Sequence, residues 1–281
     1  MRQRRVVKQS QKRGNVPCNF CSHRKTNKHQ CYFTPQESSI KQHTGGQLNM
    51  NAYSQTNHAG AQVKVNSFIR SVYNWMAIGL ALTAGTSFYV VNSETLLQII
   101  FGNSLVFFGL IIGELGLVFY LSARIQKIKA STATSLFVLY SILNGATLAA
   151  IFLRFTGASI MSTFLTCALT FAACSVYGMV TKRDLTSMGG FLMMGLFGII
   201  IASVINMFIA SPGMSKVIAY VGVLVFVGLT AYDTQKLKGM ALTQPADASG
   251  AMVRKGAIIG ALRLYLDFIN MFIMLLHIFG L

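Results

Sequence analysis

The sequence predicts an all-α membrane protein built as a bundle of seven transmembrane helices. Of its 281 residues, 53% are hydrophobic and 11% are charged, whereas soluble domains carry about 25% charged residues. Seven apolar stretches are about as long as the ~20 residues with which a helix crosses a bilayer. They lack the short alternating pattern of β-barrel strands. The predicted spans are about 70–91, 104–123, 133–153, 159–180, 188–210, 215–235 and 257–280.

The first sixty residues differ in composition from the rest of the chain. Residues 1–60 are polar and basic, and they hold too few apolar side chains to fold alone, so we predict a disordered tail. Its charge would hold it near anionic lipid. One alternative is a zinc site, which needs four converging ligands, from the candidates Cys18, Cys21, His23, His29 and Cys31. We assign the tail no function and favour Met50 as the initiator, followed by a short polar leader.

Basic residues in the connections predict the orientation of the bundle. Alternate connections hold nine lysines and arginines on one side and two on the other. The nine are Arg124, Lys127, Lys129, Lys182, Arg183, Lys236, Lys238, Arg254 and Lys255, and the two are Arg154 and Lys216. Because cytoplasmic loops carry this excess, the N-terminus is predicted to be cytoplasmic and the C-terminus to lie on the opposite side. The net charge of +17 reflects this topology and the tail, and we expect no nucleic-acid partner.

Three of the seven acidic residues lie within predicted spans, namely Glu114, Asp233 and Asp267. A charged side chain at the bilayer centre costs about 2.5–3.5 kcal/mol on insertion scales, and such groups face a partner or a water-filled cavity. These residues are therefore candidates for a functional site. Glu114 would be either a stepping stone for protons or cations, or a protonated acid bonded to a neighbouring polar group.

Asp233 and Asp267 lie in the sixth and seventh spans, which are antiparallel and could bring the two carboxyl groups together. Carboxyl groups that share a buried site cannot both ionise cheaply, so they titrate as a unit that holds one proton near neutral pH. Losing that proton creates repulsion, which a cation or a nearby arginine would relieve. The pair would act as a pH switch, and it would also suit calcium, which prefers carboxylate and carbonyl oxygens.

Neighbouring basic and polar residues leave other arrangements open. Arg263 lies four residues before Asp267, so the two could form a static pair along one helix face. Arg124 ends the second span, where it would be either a snorkelling anchor or a partner for Asp233 or Asp267. Asn270 follows Asp267 by about one turn, and it would either hydrogen-bond across helices or line a wet path.

Four short motifs, in order along the chain, carry a resemblance to a known family. GELGLVF at 113–119 and TKRDL at 181–185 resemble its bacterial branch, and AYDTQK at 231–236 and LYLDFIN at 264–270 resemble motifs of the whole family. This is the Bax inhibitor-1 family, also called the transmembrane Bax inhibitor motif family. The resemblance covers roughly residues 65–281 and omits the tail.

The resemblance implies a seven-helix bundle with the C-terminal helix at its centre, wrapped by the other six. It also implies a pH-sensitive calcium leak, in which aspartates matching Asp233 and Asp267 share a proton. In the family a basic residue at the end of the second span latches against this pair, and Arg124 is the nearest match. Arg263 departs from the family, which usually has a small or polar residue at that position. The bacterial branch implies an inner membrane.

Two classes of function follow from these observations. The first is a cation leak that the aspartate pair gates by its protonation. The alternative is a non-conducting regulatory protein that modulates a membrane-bound ATP-dependent protease, with which a bacterial relative is associated, or a cell-death or stress partner. A proton-coupled transporter is disfavoured because the spans show no duplicated halves. We expect no enzyme activity, since no nucleophile–base pair or phosphate loop is recognisable, and no cofactor other than calcium as a permeant or bound ion.

Overall fold

The computed structural model describes residues 43–243 and 249–280, with side chains from Val65 onward. This part of the chain forms eight helices and contains no β-strand. The helices are α1 (His43–Val91), α2 (Glu94–Phe101), α3 (Ser104–Arg124), α4 (Ala130–Arg154), α5 (Gly157–Val180), α6 (Thr186–Ile209), α7 (Pro212–Thr243) and α8 (Gly250–Phe279). The compact unit that contains the spans is Met50–Leu281.

Seven of these eight helices are long and apolar enough to cross a membrane, which confirms the predicted all-α class and the number of spans. The exception is α2, which has eight residues and was not anticipated from the sequence. The first helix begins at His43, inside the stretch that composition assigns to the tail. The cysteines and histidines of the zinc alternative lie outside the described residues.

The last helix is the centre of the bundle, as the resemblance implied. Within its most apolar segment 72% of α8 is buried, compared with 44% for α7 and 6% for α3. It packs against α4, α5 and α7, and Thr83 and Val72 of α1 contact it as well. The chief contact of α3 is with α4, and that of α6 is with α7. The wrapping is therefore uneven, because α3 and α6 lie at the periphery.

Both helices that carry the predicted aspartate pair extend beyond the predicted spans. α7 continues to Thr243, and α8 already begins at Gly250. Lys236 and Lys238 therefore lie on α7, and the basic residues 254 and 255 lie on the first turns of α8, instead of in a loop. Asp267 lies 17 positions after Gly250, the first residue of α8, which corresponds to roughly 25 Å along the helix axis.

Side-chain caps and a tight turn explain where several helices begin and end. Asn103, Thr156 and Ser249 accept hydrogen bonds from backbone N–H groups in the first turns of α3, α5 and α8. Such caps satisfy donors that have no partner within the helix. At the end of α6, Ala210 adopts a left-handed conformation with φ of 51°, and Asn206 accepts a hydrogen bond from Ser211 N across this turn.

Small residues allow α5 and α7 to approach closely. Gly178 of α5 is buried, and an added Cβ there would lie 2.4 Å from the carbonyl oxygen of Ala231 on α7. A clash with a backbone carbonyl cannot be relieved by rotating a side chain. By contrast, Gly190 of α6 is exposed, and an added Cβ there would meet open space.

We predict that Gly178→Ala destabilises the protein by about 1–3 kcal/mol, because the added methyl forces α5 away from α7. The matched control is Gly190→Ala, which should leave stability unchanged or slightly higher because alanine favours helix. Thermal unfolding of both purified variants in the same detergent measures the difference. Equal melting temperatures would contradict the packing described here.

Candidate functional site

Asp233, Arg263 and Asp267 form a cluster between α7 and α8. Arg263 and Asp267 lie one turn apart on α8, and the Arg263 Nη1 atom is 3.8 Å from Asp233 Oδ1 on α7. This is the one ion pair in the part of the chain that the structure describes. The side chains of Arg263 and Asp233 are 41% and 15% exposed, so the pair lies at the edge of the buried core.

Asp267 lies deeper than the ion pair. Only 6% of the residue is exposed, and its Oδ2 atom has no hydrogen-bond partner among the described residues. Asp267 lies one turn from Arg263 on α8. Arg263, which contacts Asp233 on α7, therefore lies near both carboxyl groups of the expected pair.

The partner of this arginine differs from the arrangements that the sequence suggested. Arg263 does not pair along α8 with Asp267 but across the helix interface with Asp233. Arg124 ends α3, where it is exposed, and it forms no ion pair within the described ranges. The cation that contacts Asp233 is therefore Arg263 of α8.

The remaining predicted site residues take part in separate contacts. Glu114 of α3 accepts a hydrogen bond of 2.6 Å from Thr147 Oγ1 of α4. This places Glu114 at the α3–α4 interface, bonded to a neighbouring polar group. Asn270 Nδ2 donates to the carbonyl oxygen of Leu266 in its own helix, so this bond does not cross to another helix.

A buried hydrogen-bond cluster around Tyr265 was missed in the sequence. The Tyr265 hydroxyl lies 2.6 Å from Thr83 Oγ1 of α1 and accepts a hydrogen bond of 2.8 Å from Asn144 Nδ2 of α4. Thr83 Oγ1 also donates to the carbonyl oxygen of Ser141. The cluster joins α1, α4 and α8. A tyrosine in mid-span was a usable signal, because a buried hydroxyl requires a partner.

The composition of the aspartate cluster limits its chemistry. The described residues contain no group of three or more His, Cys, Asp or Glu side chains that could hold a metal ion. Calcium takes 6–8 oxygen ligands, more than the two carboxyl groups of Asp233 and Asp267 can supply. Two carboxyl groups near one arginine are suited to taking up and releasing protons.

The fold and the cluster define a class of protein, a multi-pass α-helical membrane protein with an intramembrane acid–base cluster beside its central helix. The chain belongs to the Bax inhibitor-1 family, because residues 65–281 match the family model described as "Inhibitor of apoptosis-promoting Bax1". The described part of that match contains all seven spans and the cluster.

Relatives from several bacteria are similar over the same region. The inner membrane protein YbhL of Escherichia coli (strain K12) is 50% identical over 216 residues, which are 77% of this chain and 92% of the relative. An uncharacterized protein of Borreliella burgdorferi is 44% identical over 76% of this chain and 92% of its own length. An uncharacterized protein of Deinococcus radiodurans is 40% identical over 76% of this chain and 90% of its own length. The name of YbhL assigns that relative to the inner membrane.

We predict that Tyr265→Phe destabilises the protein by about 1–3 kcal/mol, because it leaves the buried Asn144 amide without its acceptor. The matched control is Tyr220→Phe, since Tyr220 is 56% exposed. Thermal unfolding in detergent should show a lower melting temperature for Tyr265→Phe alone. If both variants have the wild-type melting temperature, the hydrogen-bond cluster around Tyr265 does not stabilise the bundle.

Proposed function

We propose that this protein is a pH-sensitive cation leak, with calcium as the expected ion, in which Asp233 and Asp267 share a proton. The observation that carries the proposal is the ion pair between Arg263 and Asp233, with the buried Asp267 beside it. Membership of the Bax inhibitor-1 family supports it, since a pH-sensitive calcium leak is what the resemblance implies. We also infer an inner-membrane location from the similarity to YbhL.

The charge of the cluster explains why it would respond to protons. With one proton between the two aspartates, one carboxylate remains to balance the Arg263 guanidinium, and the cluster is neutral. Loss of that proton leaves a net negative charge, and gain of a second leaves a net positive charge. A net charge of either sign is costly in a low-dielectric interior. The neutral form of the cluster is therefore favoured over the pH range between loss of the shared proton and uptake of a second one.

Acidification would loosen the interface between α7 and α8. A second proton neutralises Asp233 and removes the ion pair to Arg263, which links the two helices. α8 is the central helix, so a change in its contact with α7 would open a path through the bundle. The leak should therefore increase as pH falls.

We predict that calcium efflux from liposomes containing the wild-type protein rises as pH is lowered from about 8 to about 6, by at most about tenfold per pH unit for one proton. Asp233→Asn removes the ion pair permanently and should give high efflux with little pH dependence. Asp267→Asn keeps the ion pair but removes the carboxyl group with which Asp233 shares a proton, so efflux should stay low at about pH 8 and should rise over a different pH range from that of the wild type. A wild-type pH response in both variants would contradict the proposal.

Asp184 provides a matched control outside the spans. It is exposed, and its Oδ1 atom accepts a hydrogen bond of 2.9 Å from Thr186 N. Hydrogen bonds from Thr186 lower the pKa of Asp184, so this carboxylate is ionised throughout the tested range. Asp184→Asn should therefore have the same efflux and the same pH response as the wild type.

We predict that Arg263→Gln behaves like Asp233→Asn, because it removes the other half of the same ion pair. Efflux at about pH 8, above the range in which the pair takes up its second proton, should rise toward the wild-type level at about pH 6. Arg124→Gln is the comparison, since Arg124 is exposed and forms no ion pair in the described residues. If Arg124→Gln alone alters the leak, the cation that controls the pair is on α3.

The same measurement separates this proposal from the alternative of a non-conducting regulator. A regulator of a membrane-bound protease or of a stress partner would co-purify with that partner and would give no efflux above empty liposomes. Absence of efflux at every pH, from protein shown to be folded by its melting curve, would therefore reject the leak and favour the regulator.

A further inference from the structure

A large apolar cavity lies between α1, α4, α5 and α8. Its volume is about 430 Å³, within the range of pockets that hold small ligands. Aromatic side chains form much of its wall, with Phe152 on α4, Phe164 on α5, and Phe268 and Phe272 on α8. The cavity lies beside the Thr83–Tyr265 hydrogen bond and is not lined by Asp233, Arg263 or Asp267.

The polar side chains of this cavity have already formed their hydrogen bonds within the protein. Thr83 Oγ1 donates to Ser141 O, and Ser87 Oγ donates to Gly145 O at 2.6 Å. The other lining side chains are apolar. An occupant that needs hydrogen bonds would lose them on entry, so the cavity favours a flexible hydrocarbon chain.

One end of the cavity reaches the connection between α4 and α5. Phe152 and Gly157 both line it, and Arg154 lies between them in the chain. Arg154 is exposed and forms no ion pair with the residues that the structure describes. The positive end of the α5 dipole adjoins it, because α5 begins at Gly157. The apolar cavity therefore ends next to positive charge.

We propose that this cavity binds a phospholipid, with one acyl chain between the four helices and an anionic headgroup at Arg154. Three observations together support this occupant. The lining is apolar, the surrounding helices span a bilayer in which acyl chains are abundant, and the charge at the mouth complements a phosphate. The proposal does not depend on the leak, since the residues of the aspartate cluster take no part in it.

Gly157 offers a way to fill the cavity without disturbing the fold. It lines the cavity, and an added Cβ there would meet open space. Gly157→Leu should therefore occupy the volume that the acyl chain needs. The matched control is Gly198→Leu on α6, because Gly198 is exposed, also has open space around an added Cβ, and is not among the residues lining this cavity.

The test uses the full-length protein reconstituted in vesicles of equal phosphatidylglycerol and phosphatidylcholine, then released into detergent for native mass spectrometry. The wild type and Gly198→Leu should each retain one phosphatidylglycerol molecule. Gly157→Leu should reduce that retention about tenfold, and Arg154→Gln should keep a bound lipid but lose most of the preference for phosphatidylglycerol. Melting curves establish that each variant is folded.

Three results would overturn the proposal. The wild type could retain no lipid or only detergent, which would show that the cavity does not select a phospholipid. Gly157→Leu could retain lipid as the wild type does, which would place the bound lipid elsewhere on the surface. Retention could also fall equally in Gly157→Leu and Gly198→Leu, which would indicate a general effect on the lipid layer around the protein.

Discussion

The ion pair between Arg263 and Asp233 is the interaction on which the proposed mechanism depends, because it links α7 to the central helix. A cation on α8 faces a carboxylate on α7, and a second carboxylate, Asp267, is buried one turn away. This partly exposed ion pair is weak evidence for stability, since solvent screens the attraction and desolvation offsets part of it. In the proposed mechanism, the ion pair makes the contact between α7 and α8 sensitive to protonation, because removing either charge leaves the other uncompensated.

The central position of α8 allows local contacts to affect the whole bundle. Tyr265 lies between Arg263 and Asp267 in sequence, yet its hydroxyl bonds to α1 and α4. One segment of α8 therefore contacts α7 through charge and contacts α1 and α4 through hydrogen bonds. The hydrogen-bond cluster around Tyr265 would resist a movement of α8 at the aspartate cluster, because it connects the same turns of α8 to α1 and α4.

The charged cluster and the apolar cavity lie on different sides of α8. The aspartate cluster lies on the side that faces α7, whereas the apolar cavity lies between α8 and the helices α1, α4 and α5. Phe268 follows Asp267 directly and lines that cavity. The central helix thus adjoins both proposed sites, one for protons and one for a lipid chain, and adjacent residues of α8 contribute to them.

Local patterns in the chain suffice to predict the spans and the acidic residues within them, whereas the packing of the helices settles which residues meet. The seven spans follow from apolar length, which is a local property, whereas α2 was missed because eight residues give too short a pattern. The sequence also singled out Asp233, Asp267 and Arg263. The pairing of Arg263 with Asp233 depends on the rotation of α7 and α8 about their axes and on their relative shift along those axes. A shift of one residue turns a helix by about 100°. No local pattern encodes that rotation, because it results from the packing of all the spans around α8.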